Sequence, residues 1–160
     1  MADIAIQWTP GQYRGDWAIS GGALLQGYDL QNAVLISLFT DARAPDSWMP
    51  PPGWNGGRRG WWGDTFEAAP TDGGVPLAPL GSGLWLLSRR AKSDAGALLI
   101  EAQQTCRTAL QWLLDTGVAA VVDVRCQWQA PQRLGIAVRI VRPSGTAENF
   151  TFGWAWQELN

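Results

Sequence analysis

The apolar positions of this chain change period along its length, and each period predicts a different element. Ile4, Ile6 and Trp8 alternate with Ala5 and Gln7, which predicts a short strand stopped at Thr9-Pro10-Gly11. Asp16 to Ser20 is a second candidate strand, flanked by glycines. From Asp29, a residue suited to capping a helix, Leu30, Ala33, Val34 and Leu38 recur at helical spacing, so a helix is predicted over Leu30 to Phe39. Leu35, Ile36 and Phe39 fill its other faces, implying burial on most sides. Val34-Leu35-Ile36 would also pair in a sheet, but the spacing favours helix. Further on, Gly83 to Arg90 reads as a helical turn with Leu84, Trp85 and Leu87 inward. Ser93 or Asp94 then caps the clearest helix, running to about Asp115. Its Leu99, Ala102, Cys106, Ala109 and Leu113 form one apolar stripe, while Glu101, Gln104, Arg107 and Gln111 lie off it. Gly117 supplies the left-handed stop.

Beyond that helix the period returns to two. Val122, Val124, Cys126 and Trp128 alternate with polar residues, and after a turn at Pro131 so do Leu134, Ile136, Val138 and Ile140. After Pro143-Ser144-Gly145 the pattern repeats in Phe150, Phe152, Trp154 and Trp156. Three such runs predict an antiparallel meander with one apolar face, covered by the long helix, with Cys106 and Cys126 pointing into the layer between. The fold class is α+β: a C-terminal antiparallel meander, a long covering helix, a second N-terminal helix and an irregular Trp-rich arm. The last strand is expected at a sheet edge. So aromatic an edge either forms core or pairs with another chain.

The arm spans residues 41–82. Pro50-Pro51-Pro52, Gly56-Gly57, Gly73-Gly74 and Pro76 break regular structure there. Trp48, Trp54, Trp61 and Trp62 argue for an ordered segment lying on its own core or on a neighbour, because disordered segments are poor in aromatics. Its densest stretch is Arg58-Arg59-Gly60-Trp61-Trp62-Gly63-Asp64. Two guanidinium groups, two indoles and a carboxylate in seven residues suit either a loop pinned by its own aromatics or a docking surface, since Trp and Arg dominate interface hot spots. Arg58 or Arg59 is expected to pair with Asp64 or Asp41, and Trp61 and Trp62 to pack into apolar surroundings.

Composition narrows the function. Residues 1–160 are most simply one domain, long enough to bury about 70% of the unfolded surface. A net charge of −2 offers no basic excess for nucleic acid. No run approaches the ~18 apolar residues of a membrane span, and the N-terminus has no signal-peptide pattern. Histidine is absent, removing His-assisted nucleophiles and imidazole zinc sites. The two cysteines lack metal spacing and read as buried reduced thiols. Paired carboxylates could still cleave sugars, and Asp41, Asp64 and Glu67 are the arm's candidates, but no acid–base pair stands out. Gly81-Ser82-Gly83 lacks the length and the following Lys-Ser/Thr of a phosphate loop. No catalytic, cofactor or metal site is predicted. The eleven Trp mean either an aromatic-rich core or large protein or sugar contact surfaces, and Arg58, Arg59, Trp61, Trp62, Asp64, Phe150, Phe152, Trp154 and Trp156 are the candidate interaction residues.

Leu35-Ile36-Ser37-Leu38-Phe39-Thr40-Asp41, the Arg58–Asp64 motif and Leu84-Trp85-Leu86-Leu87-Ser88-Arg89 together resemble the small baseplate wedge proteins of Mu-like contractile-tailed phages, the Mu gene-product forty-six family. That family is similar in role to the small wedge protein of T-even phages, sometimes described as lysozyme-like. The resemblance covers about Asp3 to Trp156. It implies a structural role in the inner baseplate of a phage or phage-derived bacteriocin, with the protein located in the virion after assembly in the bacterial cytoplasm. It also implies that the chain joins the wedge and templates the first sheath ring by strand exchange. The implied partners are other wedge proteins, tail tube or hub proteins and sheath, with no nucleic acid and no membrane. The alternative is a tail-associated peptidoglycan hydrolase or sugar-binding protein using arm carboxylates and Trp.

Overall fold

A computed structural model describes residues 4–9, 14–25, 27, 29–65, 71–72, 75–76, 79–87, 95–131 and 133–155. The N-terminal segment forms two small antiparallel hairpins, β1 (Ile6–Thr9) with β2 (Arg14–Trp17), and β3 (Ile19–Ser20) with β4 (Ala23–Leu24). The single strand expected over Asp16 to Ser20 is therefore divided at Ala18, whose carbonyl instead accepts the Leu25 N–H at 2.8 Å.

Helix α1 (Asp29–Phe39) is helical through Val34-Leu35-Ile36 and is buried along Leu30, Asn32, Val34, Leu35, Ser37 and Leu38. Two of those six are polar, and both have work that periodicity cannot reveal. Asn32 Oδ1 accepts the Ile6 N–H at 2.8 Å while its Nδ2 donates to the Ile4 carbonyl, so a side-chain amide stands where a neighbouring strand would. Ser37 Oγ accepts from Trp112 Nε1 at 3.0 Å, tying α1 to the long helix.

That helix, α3 (Ala95–Asp115), follows the short α2 (Leu84–Leu87), whose Leu84, Trp85 and Leu87 are all buried as expected. Residues 88–94, including the Ser93 or Asp94 cap, lie outside the described residues. The buried stripe of α3 runs through Leu98, Ala102, Cys106, Leu110 and Leu113. It is turned slightly from the expected one, with Leu99 and Ala109 at its flank. Adjacent leucines at 98 and 99 leave the stripe's centre to be chosen by tertiary packing. Gly117 ends the helix with φ of +71°, and Gly117 N–H donates to Leu114 O at 3.1 Å.

The C-terminal sheet has the order β7 (Val121–Ala130), β8 (Arg133–Val141), β9 (Ala147–Ala155), all antiparallel. Its register places Val124 opposite Val138, Cys126 opposite Ile136 and Trp128 opposite Leu134. Across the other ladder Ile136 meets Phe152 and Val138 meets Phe150. One face is thus apolar along all three strands. Leu134, Ile136, Val138 and Ile140 of the central strand are buried with Val124 and Phe152, in one cluster with α1, α2 and α3. No helix among the described residues is long and apolar enough to cross a membrane.

Candidate interaction surfaces

The arm leaves and returns at one point. Ala42 N–H donates to Ser82 O at 2.9 Å and Ser82 N–H to Thr40 O at 2.8 Å, a parallel bridge joining Asp41 to Ser82. Ser82 is buried, and its Oγ donates to Leu38 O at 2.6 Å while accepting the Leu84 N–H at 3.3 Å, so one hydroxyl links α1, the arm and α2. Gly81 makes the approach possible: its φ is +100°, and a Cβ there would sit 2.4 Å from Thr40 O. Short regular pieces break the expected irregularity of the arm. Trp62–Thr65 is a 3-10 turn, and β5 (Thr71–Asp72) pairs with β6 (Val75–Pro76).

Within the arm, Arg59 lies over two indoles, its guanidinium carbon 4.7 Å from the Trp85 ring centroid and 5.3 Å from that of Trp54. Trp48 meets both rings edge-on, at 6.0 Å from Trp54 and 5.5 Å from Trp85. Trp85 Nε1 donates to Ala42 O at 2.9 Å, and Arg59 pairs with Asp41. Two indoles, braced by a third, therefore hold one guanidinium against the base of the arm. Arg59 itself has φ of +52°, the one non-glycine in the left-handed region among the described residues. Its contacts hold it there.

The expected Arg59–Asp41 pair is thus present. Arg58 instead pairs with Asp46, donating also to Asp46 O at 3.0 Å. Asp64 takes neither arginine. Its Oδ1 accepts the Leu80 N–H at 3.2 Å, and its buried Oδ2 has no hydrogen-bond partner among the described residues. The chain's own residues do not give Trp61 and Trp62 the apolar surroundings expected for them. Their rings lie 5.2 Å apart, but they are 40% and 68% exposed, with Met49 of the same arm 86% exposed. The arm's apolar anchor sites are taken by Trp48, Trp54 and Trp85, leaving the second Trp pair outside. The sequence supplied those three residues, but not which of the two arginines lies over Trp54 and Trp85. Asp46 was missed because a twelve-residue separation carries no periodic signal.

The second surface follows β9. It is an edge strand, as expected, and no strand among the described residues pairs with its outer side. Phe152 is buried and Phe150 half-buried, while the side chain of Trp154 and all of Trp156 lie outside the described residues. Phe152 meets Trp8 at 6.0 Å and Phe39 at 5.4 Å, both edge-on, and Trp8 stacks on Phe39 at 4.5 Å. Three rings from β9, β1 and α1 thereby hold the edge strand to the core. Beside them a groove of about 370 Å³ is lined by Gln7, Trp8 and Thr9 of β1, Gln31 of α1, and residues 149–152 of β9. Trp8 Nε1 is buried with no hydrogen-bond partner among the described residues.

Of the carboxylates tested for acid–base chemistry, Asp41 is committed to Arg59 and Asp64 to the Leu80 amide, while Glu67 lies outside the described residues.

The chain matches known proteins in sequence along most of its length. The sequence model of the family described as phage protein GP46 matches residues 30–147, from α1 to the first residue of β9. The Mu-like prophage FluMu protein gp46 of Haemophilus influenzae is 36% identical over 156 residues, covering 98% of each chain. The baseplate protein gp46 of Escherichia phage Mu is 38% identical over 153 residues, covering 95% of each.

Proposed function

This chain belongs to the phage protein GP46 family, and on that premise we propose that it is a structural, non-catalytic component of the baseplate of a Mu-like contractile tail. The observation that carries the reading is the near end-to-end match to a baseplate protein, 38% identical over 95% of both chains. In this reading the protein is assembled in the bacterial cytoplasm and remains in the virion tail.

The finer role we assign is to join the inner wedge and template the first sheath ring. Its support is the unpaired outer side of β9. An edge offers main-chain N–H and C=O groups to an incoming strand, which gains hydrogen bonds without unfolding anything. The Trp8–Phe39–Phe152 cluster keeps that edge rigid, and the adjacent groove gives an incoming segment side-chain contacts as well. The exposed Trp61 and Trp62 serve as a second contact with neighbouring wedge or tube proteins.

Inactivating the gene in the tail-encoding locus, with rescue from a plasmid, tests this. Electron microscopy should then show no sheathed particles without the protein and normal ones with it. Complete tails formed in its absence would refute the structural role. Turnover of peptidoglycan by the purified protein, abolished by Asp64→Asn or Glu67→Gln, would favour a hydrolase instead.

A further inference from the structure

Two nucleophilic side chains take no part in either surface. Cys106 lies on the buried stripe of α3 with no solvent exposure, and Cys126 lies half-buried on the inward side of β7, opposite Ile136. Both are free thiols. Their places in the chain bring them to one level. Cys106 stands nine residues before the end of α3 at Asp115, about 14 Å back along a helix. Cys126 stands five residues into β7 from Val121, about 17 Å along a strand. β7 runs back along α3 and packs against it, and Cys106 lies in the core cluster against which Cys126 packs, so both thiols face the layer between helix and strand.

A hydrogen bond from the Cys106 thiol, helped by the Arg107 charge and opposed by burial, holds the Cys126 thiol below its ordinary pKa. The same bond, together with burial, pushes Cys106 up. Cys126 is therefore the nucleophile of the two, and the one with access to solvent.

We propose that Cys106 and Cys126 are a redox pair that hydrogen peroxide converts to an intramolecular disulfide, stapling α3 to β7. The Cys126 thiolate attacks one peroxide oxygen, the O–O bond breaks, and the departing hydroxide takes a proton to become water. Cys126 is left as a sulfenic acid. The Cys106 sulfur then attacks the Cys126 sulfur, the S–O bond breaks, and the departing hydroxide takes the Cys106 proton as a second water. Two thiols and one peroxide give one disulfide and two waters, the sulfurs losing the two electrons that the peroxide gains. The pair stays reduced in a reducing cytoplasm and closes in an oxidising exterior. The helix-to-sheet layer is then locked after assembly rather than before it.

The test treats the purified full chain with one equivalent of hydrogen peroxide. Both free thiols should disappear by thiol titration, the intact mass should fall by two hydrogens, and a non-reducing peptide map should show Cys106 joined to Cys126 within one chain. The melting midpoint should rise by on the order of 5–10 °C, as expected for closing a loop of about twenty residues, and return on adding dithiothreitol. Cys106→Ala and Cys126→Ala should each abolish the peroxide-dependent shift; if either fails to fold, the wild-type map still decides. Thiols that stay free in the folded chain, disulfides between chains, or oxidation ending at sulfinic acid would each overturn the proposal.

Discussion

Arg59 shows how one residue can be both strained and fixed. A non-glycine at φ of +52° costs about 1–2 kcal/mol, yet the side chain placed by that backbone lies over two indoles and against Asp41. The ion pair is partly exposed and contributes about 1 kcal/mol at most, so the ring contacts carry as much or more. Arg59→Ala keeps the strain and loses the contacts, and should lower stability by about 1–2 kcal/mol in urea unfolding. Arg59→Gly relieves the strain and should lose measurably less; a glycine variant less stable than the alanine one would contradict this account. Asn32 is the other decisive residue. Asn32→Leu removes partners from both the Ile6 N–H and the Ile4 carbonyl, and should destabilise by about 2–4 kcal/mol with faster hydrogen exchange at Ile6. The Arg59–Asp41 pair was legible in the sequence, but which rings Arg59 meets and what Asn32 bonds were not. Arg59's partners lie from 5 to 26 residues away and Asn32's 26 and 28, and a polar residue on a helix carries no mark of what it will face.

At the scale of elements, the sheet was the most legible part. A two-residue period over three consecutive runs fixes both the strands and the face each side chain takes, and the register pairs those apolar positions directly. The helices were legible as elements, but the centre of the α3 stripe fell among neighbouring apolar positions, and contacts with α1, α2 and β7 chose Leu98 and Leu110. The arm was legible as ordered from its Trp content. Its route was not, because it depends on a main-chain bridge between Asp41 and Ser82. Gly81 is the position that permits the bridge. Gly81→Ala should cost about 2–3 kcal/mol, from positive φ and collision with Thr40 O, whereas Gly145→Ala has only the φ penalty and should cost about 1–2 kcal/mol. Equal losses from the two would show that the bridge is not under steric tension.

For the whole molecule, the two surfaces read from the sequence stand differently once folded. The core explains Phe152, Trp8 and Phe39, so the aromatic side of β9 belongs to the chain itself, and no strand among the described residues pairs with its outer edge. The core does not explain Trp61 and Trp62, whose exposure is costly for a free monomer and natural for a subunit of an assembly. The account therefore rests on the chain being completed by its neighbours in a baseplate. A structure of the assembled tail at side-chain resolution tests that most directly. It should place this chain in the baseplate, with a strand from another subunit hydrogen-bonded along the outer side of β9 and with Trp61 and Trp62 buried against a neighbour. A particle lacking the chain, or one in which the β9 edge and both indoles face solvent, would contradict it.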